Sequence, residues 1–213
     1  MKEMNWMFEY KGFLMKMVSN PEVFSPQGID KGTLAMLSFV NFNKFHRVLD
    51  LGCGSGIVGI FASKFVGGEN VVMVDKSSKA VECAIKNCMN NGCPEIEVLL
   101  SDGFEELDQK KFDLILSNPP YHEDFSVPKR FIEDSFKKLE IGGYMYMVTK
   151  RKKWYKNKLI SVFGGVQIKE KDGYFVFISQ KKWEHKKRHK ESLPMMSKKI
   201  RNKMERRKKK SGN

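Results

Sequence analysis

The sequence predicts an α/β fold: a doubly wound, mostly parallel seven-stranded sheet with a C-terminal antiparallel hairpin. Three observations carry that expectation. From Arg47 onward, short β-branched runs alternate with amphipathic helical patterns, as in a parallel sheet covered by helices. A glycine-rich loop, DLGCGSGIVG at 50–59, follows the first of those runs and opens a helix. The last two runs are separated by a turn at Asp172 and Gly173, too short for a parallel crossover, so they must pair antiparallel.

Upstream of the sheet, FEYKG and FLMKMVS form a small hairpin, followed by the loop NPEVFSPQGID and a helix from about Thr33 to Phe42. The core strands are then RVLDL, VVMVD, IEVLL, FDLILS and YMYMVT. Between the second and third, Ala80, Val81, Ala84, Ile85, Cys88 and Met89 make one helical stripe, with a Ser cap before it and Gly92 after it. Between the fourth and fifth, Phe131, Ile132, Ser135, Phe136 and Leu139 repeat that spacing. A helix over Lys153 to Phe163 leads to VQIKE and YFVFISQ, the closing hairpin. The chain thus divides into a hairpin and loop over 1–30, an α/β domain over 31–180 and a basic tail over 181–213.

The charge is concentrated in that tail. Of a formal net charge of +14 over 213 residues, positions 181–213 hold 15 Lys and Arg against Glu184, Glu191 and Glu205, a net of +12. Such a segment attracts polyanions, either nucleic acid or an acidic membrane surface. Polar or charged residues interrupt every apolar stretch between Met1 and Asn20, and no run approaches the roughly 18 apolar residues of a membrane span. A cytoplasmic protein is expected. Cys53, Cys83, Cys88 and Cys93 fit that compartment as free thiols, and their spacing suggests no zinc site. His185 and His189 stand four apart, but the surrounding cations discourage a metal, so none is expected.

In the loop at 50–59, glycines let backbone N–H groups approach a ligand where a Cβ would collide. Gly54, Gly56 and Gly59 satisfy the dinucleotide spacing, yet that match alone is weak. Asp75, ending the second strand, sits where an acid grips a ribose diol, a device shared by nicotinamide and S-adenosylmethionine enzymes. Asp50 separates them: an acid just before the loop repels a pyrophosphate but suits a cationic ammonium and sulfonium. Asp102, after the third strand, can accept a hydrogen bond from an adenine amino group, with Phe104 as a ring neighbour.

SNPPYH at 117–122 ends the fourth strand, beside that pocket. Proline cannot continue a ladder, and the residue before it is pushed to an extended conformation, so Asn118 is held rigid. Its amide oxygen and the Pro119 carbonyl can both accept from one planar NH2 group, while Tyr121 stacks on the ring that carries it. This suits methyl transfer to an exocyclic amine whose lone pair is delocalised into its ring: two acceptors align the nitrogen and stabilise the charge that develops there. His122 has no required role.

On these motifs the chain resembles class I S-adenosylmethionine-dependent methyltransferases, and within them the small-domain (MTS) branch that includes the RsmC-type ribosomal RNA guanine-N2 methyltransferases. The likeness covers about residues 8–180 and rests on VFSPQGIDKGT, VLDLGCGSGIVGI, FDLILSNPPYH and LEIGGYMYMV. It implies S-adenosyl-L-methionine as cofactor, its methionine end lined by Asp50, Gly52, Cys53, Gly54 and Gly56. Asp75 should hold the ribose and Asp102 should sit by adenine. Asn118, also beside the cofactor, should hold the target amine with Pro119, Pro120 and Tyr121. Phe24, Lys31, Gly32 and Thr33 should close over cofactor or substrate. The implied activity is methylation of an exocyclic amine in RNA, guanine N2 of ribosomal RNA first, with adenine N6 or a protein glutamine N5 as alternatives that offer the same NH2. RsmC itself has an extra amino-terminal half, resembling a degenerate second copy, with no counterpart in these 213 residues. RNA binding is therefore expected from the tail 181–213 and from KRKKWYKNK at 150–158, which mixes six cations with Trp154 and Tyr155.

Overall fold

The computed structural model describes residues 4–19, 28–119 and 125–184. β1 (Met4–Tyr10) and β2 (Phe13–Ser19) form an antiparallel hairpin as a sheet of their own. Lys11 and Gly12 turn it with φ of 49° and 80°, the two left-handed residues that match the twist of the flanking strands. After α1 (Lys31–Leu37) the main sheet is built from β3 (Val48–Leu51), β4 (Val71–Asp75), β5 (Glu97–Leu100), β6 (Phe112–Ser117), β7 (Leu139–Thr149), β8 (Gln167–Lys171) and β9 (Tyr174–Gln180). Its order is β5-β4-β3-β6-β7-β9-β8, parallel through β7 and antiparallel at β7–β9 and β9–β8. The seven strands and the closing hairpin are those expected from the sequence.

The crossovers are α2 (Ile57–Val66), α3 (Ser78–Asn90) and α4 (Ser126–Lys138), while α5 (Lys153–Phe163) leads into the closing hairpin. Because alternate side chains leave opposite faces of a strand, the sheet divides the core in two. Leu114, Leu116 and Val148 face α1, α2 and the β1–β2 hairpin, with Met36 and Phe61. Ile115, Met145 and Met147 face α4 and α5, with Phe136 and Leu159. Strand order reverses between β3 and β6, and that switch point opens a crevice at the carboxyl ends of the strands.

Two boundaries differ from expectation. The first helix ends at Leu37 rather than near Phe42, because the Ser38 hydroxyl donates to Ala35 O and the Phe39 N–H turns back to Met36 O. β7 starts at Leu139, five residues before the apolar run, and a bulge lies between its pairings with Phe112 and Leu114. Gly143 permits this: a Cβ there would stand 2.9 Å from the Asp113 carbonyl.

Two amides, Asn87 on α3 and Asn91 at its C-cap, hold the small hairpin against the domain. Asn87 accepts from Val18 N at 2.7 Å and donates to Val18 O at 2.8 Å, and Asn91 makes the same pair with Lys16 at 2.9 and 2.8 Å. Residues four apart on a helix rise about 6 Å and residues two apart on a strand about 6.7 Å, so one helix face can grip alternate peptides of one strand. Asn87 is fully buried and also donates to Ser55 O at 2.9 Å, joining the hairpin to the glycine loop. The four cysteines are free and buried, and Cys83 donates to Val18 O.

Candidate active site

The crevice holds a cavity of about 340 Å³, within the range of small-molecule and cofactor sites. Its floor is the loop after β3. The Gly52 and Cys53 N–H groups both donate to Val74 O at 2.9 Å, Gly54 N–H to Asp75 Oδ2 at 2.9 Å and Gly56 N–H to Cys53 O at 2.9 Å. Gly52, Gly54 and Gly56 have φ of 76°, 54° and 84°, a fold of the chain that side chains resist. Asp50, Gly52, Cys53 and Gly54 line the cavity, while Gly56 caps α2 beneath it.

Asp50 is 3% exposed, and its Oδ2 accepts from Gly59 N at 3.0 Å. Burial pushes its pKa up to about 7; the Gly59 N–H opposes that shift and the nearby Asp75 adds to it. The Cys53 thiol is raised too, by burial and by both acids, so it is a neutral wall and not a nucleophile. Asp75 accepts from Gly54 N and, at 3.0 Å, from Ser77 N, bracing the loop while it lines the cavity.

Asp102 reaches the wall from the segment after β5 and is exposed; its carboxylate pairs with Arg130 of α4. The Arg130 hydrogen bond holds it below the usual carboxylate range. Phe104, expected as the ring neighbour of an adenine, is instead buried in the α4–α5 side of the core and is not among the wall residues of this cavity. The Ser101 hydroxyl donates to Gly103 O and accepts from Glu106 N, folding this segment back on itself, and Phe131 of α4 supplies the wall ring.

Across the switch point, Ser117 donates to Leu51 O at 2.9 Å and ties the ends of β6 and β3 together. Asn118 and Pro119 follow directly and line the cavity; Pro120 and Tyr121 lie outside the described residues. Asn118 Nδ2 donates to Asp30 Oδ2 at 2.8 Å and to Thr33 Oγ1 at 3.0 Å, while its Oδ1 is buried with no partner. A carboxylate can only accept, so Asp30 dictates which end of the amide faces it.

Asp30 is a site residue that the sequence reading missed. It caps α1 by accepting from Thr33 N at 3.1 Å and also accepts from the Tyr174 hydroxyl at 3.3 Å. Its helix-capping place before KGT was the available signal. Of the other residues expected there, Thr33 lines the cavity, Gly32 packs under Tyr174, Lys31 is exposed and Phe24 lies outside the described residues.

At the end of β7, exposed Lys150, Arg151 and Lys152 each overlie a ring, those of Tyr174, Phe125 and Phe175. Trp154 stacks on Phe125 with centroids 4.4 Å apart. Tyr155, expected as a stacking surface, is buried against Phe177 and so is closed to a base. The start of the expected tail is also part of the fold. Lys181 is fully buried, donating to Leu139 O and Glu184 Oε1 at 2.8 Å each, because the antiparallel pairing of β9 carries it over α4. Residues 185–213 lie outside the described residues. Among the described residues no helix is long and apolar enough to cross a membrane.

Comparison with known proteins matches residues 14–179 to the family described as methyltransferase small domain. A ribosomal RNA small subunit methyltransferase C from Cronobacter sakazakii is 31% identical over 174 residues, covering 80% of this chain and 50% of that protein. A ribosomal RNA large subunit methyltransferase G from Pseudomonas putida is also 31% identical, covering 79% and 46%. The chain spans about half the length of the curated relatives it matches. Among solved structures, the Thermus thermophilus 16S rRNA N2 G1207 methyltransferase (RsmC), in complex with AdoMet and guanosine, superposes with a TM-score of 0.75 at 25% identity. That match covers 84% of this chain and 51% of the other.

Proposed function

We propose, for a chain that belongs to the methyltransferase small domain family, the methylation of an exocyclic amine of a ribosomal RNA base, guanine N2, with S-adenosyl-L-methionine as cofactor. The observation that carries the reading is the Asn118 amide, its nitrogen engaged by Asp30 and Thr33 and its oxygen buried without a partner on a cavity wall. An NH2 group needs an acceptor there. Guanine N2 is favoured over other amines by the relatives, which are ribosomal RNA methyltransferases, one of them a guanine-N2 enzyme with guanosine bound.

The residues present fit the cofactor. The cavity has room for it, the glycine loop removes side chains from the floor, and buried Asp50 is matched to a cationic group. When bound, S-adenosylmethionine supplies an electrophilic methyl group. This chain's own part is to hold the acceptor. Asn118 Oδ1 accepts a hydrogen bond from one amine N–H and so orients the nitrogen, Pro119 keeps that segment rigid, and Asp102 with Arg130 closes another wall. An amine delocalised into a ring needs no strong base for this; the cationic methylated amine gives up its proton to solvent water after the methyl has transferred.

RNA is held by Lys150, Arg151 and Lys152 around the Phe125–Trp154 stack, and by the basic segment 185–213. The location is cytoplasmic, with the RNA. The test is incubation with labelled S-adenosylmethionine and undermethylated ribosomal RNA, followed by digestion to nucleosides. Labelled N2-methylguanosine is expected, and Asn118→Ala should lower its rate roughly 100- to 1,000-fold while RNA affinity barely changes. Label in N6-methyladenosine would move the assignment to adenine, label in a protein glutamine to a protein substrate, and no label in any RNA would sink it.

A further inference from the structure

We infer that Trp6, on the amino-terminal hairpin, binds the carboxylate of the cofactor's methionine part by donating its indole N–H to it. The inference rests on the cofactor assignment above. Two buried side-chain atoms without a partner belong to residues that line the cavity, and they are of opposite kind: Asn118 Oδ1, an acceptor, and Trp6 Nε1, a donor. The acceptor is matched to the substrate amine. An indole nitrogen can only donate, and burying it unpaired is costly, so the same logic asks for an acceptor beside Trp6.

The chemistry of the cavity says which acceptor. Asp30, Asp50 and Asp75 line it and suit an ammonium, but a carboxylate entering with that ammonium needs N–H groups. The loop has spent four of its own: those of Gly52 and Cys53 on Val74 O, that of Gly54 on Asp75 and that of Gly56 on Cys53 O. The indole is a donor that remains.

Its placement is built in. Trp6 pairs with Met17 across the hairpin, and the next residue, Val18, is gripped by buried Asn87, whose Nδ2 also reaches Ser55 O in the glycine loop. One amide thus sets the distance between the hairpin and the loop, and with it the position of the indole at the methionine end.

The test is calorimetry on the full chain with two ligands, S-adenosylhomocysteine and 5′-methylthioadenosine, which keeps the adenosine and thioether but lacks the amino-acid group. Trp6→Phe leaves a ring in the wall and removes the N–H. The Kd for S-adenosylhomocysteine should rise roughly 10- to 100-fold, as for loss of a hydrogen bond to a charged group, with that for 5′-methylthioadenosine within about twofold. Equal weakening of both ligands, or of neither, overturns the inference. A second measurement needs no change at Trp6. The indole N–H resonances of the three tryptophans, assigned with Trp154→Phe and Trp183→Phe, should show the Trp6 signal moving with S-adenosylhomocysteine and not with 5′-methylthioadenosine. The same response to both ligands overturns it. Failure of the unaltered chain to bind S-adenosylhomocysteine would overturn the cofactor reading and this inference together, whereas normal binding with an unresponsive Trp6 strikes only the latter.

Discussion

Asp30→Ser separates the two roles of that carboxylate. Serine caps a helix about as well as aspartate, so α1 keeps an acceptor for Thr33 N, but the shorter side chain withdraws the oxygen that now stands 2.8 Å from Asn118 Nδ2. In the native site a flipped Asn118 would set its oxygen against a carboxylate. A hydrogen bond to a charged acceptor contributes about 1.5–3 kcal/mol, so the native orientation is favoured by at least about tenfold. With Asp30 gone, the Thr33 hydroxyl at 3.0 Å can donate as well as accept, and the two orientations become nearly equal. Half of the molecules then present an NH2 to the incoming amine. Orientation alone lowers the rate about twofold, and loosening the amide by a further ~1 kcal/mol brings the loss to about tenfold. The assay is single-turnover methylation at saturating RNA and cofactor, with S-adenosylhomocysteine affinity staying within about twofold. Adding Thr33→Val should deepen the loss. Asp30→Asn should restore most of the rate, because Thr33 N requires an oxygen where Oδ2 now stands. If Asp30→Asn were as damaging as Asp30→Ser, or if Asp30→Ser turned over normally, the orienting role would be wrong.

Asp50 makes the ligand-free protein sensitive to pH. Its folded pKa of about 7 lies above the ordinary carboxylate value of 3.8, so between those values the folded state holds the proton more tightly and stability falls as pH rises, by about 4 kcal/mol in all. Thermal melts at pH 5 and pH 8 should show about 2–3 kcal/mol of that fall, Asp50→Asn should flatten it, and cofactor affinity should rise through pH 7 as the ionised acid meets a cation. Asn87→Ala leaves the Val18 N–H and the Ser55 carbonyl without their side-chain partner, and the Val18 carbonyl with the Cys83 thiol alone. A loss of about 2–4 kcal/mol is expected, a Tm drop of roughly 5–15 °C, with weaker cofactor binding because hairpin and loop part; an unchanged melt would mean that the hairpin is held otherwise. Deleting residues 185–213 removes 13 Lys and Arg while sparing buried Lys181. RNA binding should weaken and its salt dependence flatten, and an equal slope before and after would take the tail out of RNA binding.

What could be read from the chain alone follows from how local each signal is. The seven strands and the glycine loop were legible because alternation, turn residues and helix stripes are written within a dozen positions. Asp30 was not, because its partner Asn118 is 88 positions away and only the packing of α1 over β7 and β9 brings them together. Phe104 was misassigned because adjacency to Asp102 in sequence says nothing of which way the turn at Ser101 sends a ring. Tyr155 and Lys181 stand in strongly basic stretches, and composition averaged over such a stretch hides a residue that the sheet buries. Charge reads as surface until a partner such as Leu139 O or Glu184 is placed beside it.

The acid behind Asn118 also bears on the proposed chemistry, in which no general base is needed. A carboxylate that accepts from Nδ2 draws positive charge toward the nitrogen end of the amide and leaves more electron density on Oδ1. On the proposed function, Asn118 Oδ1 is the atom that would face the amine, where positive charge grows as the methyl is accepted. Asp30 therefore strengthens the acceptor through a fixed, preorganised dipole, its Oδ1 accepting from the Tyr174 hydroxyl and its Oδ2 from the Thr33 N–H. Asp50, whose pKa near 7 would otherwise suggest a proton acceptor, is committed to Gly59 N on the cofactor side of the cavity. In the proposed reaction the two acids would divide the work by position: one would stabilise a cationic ligand, and the other, through an amide, a cation that exists only as the reaction proceeds.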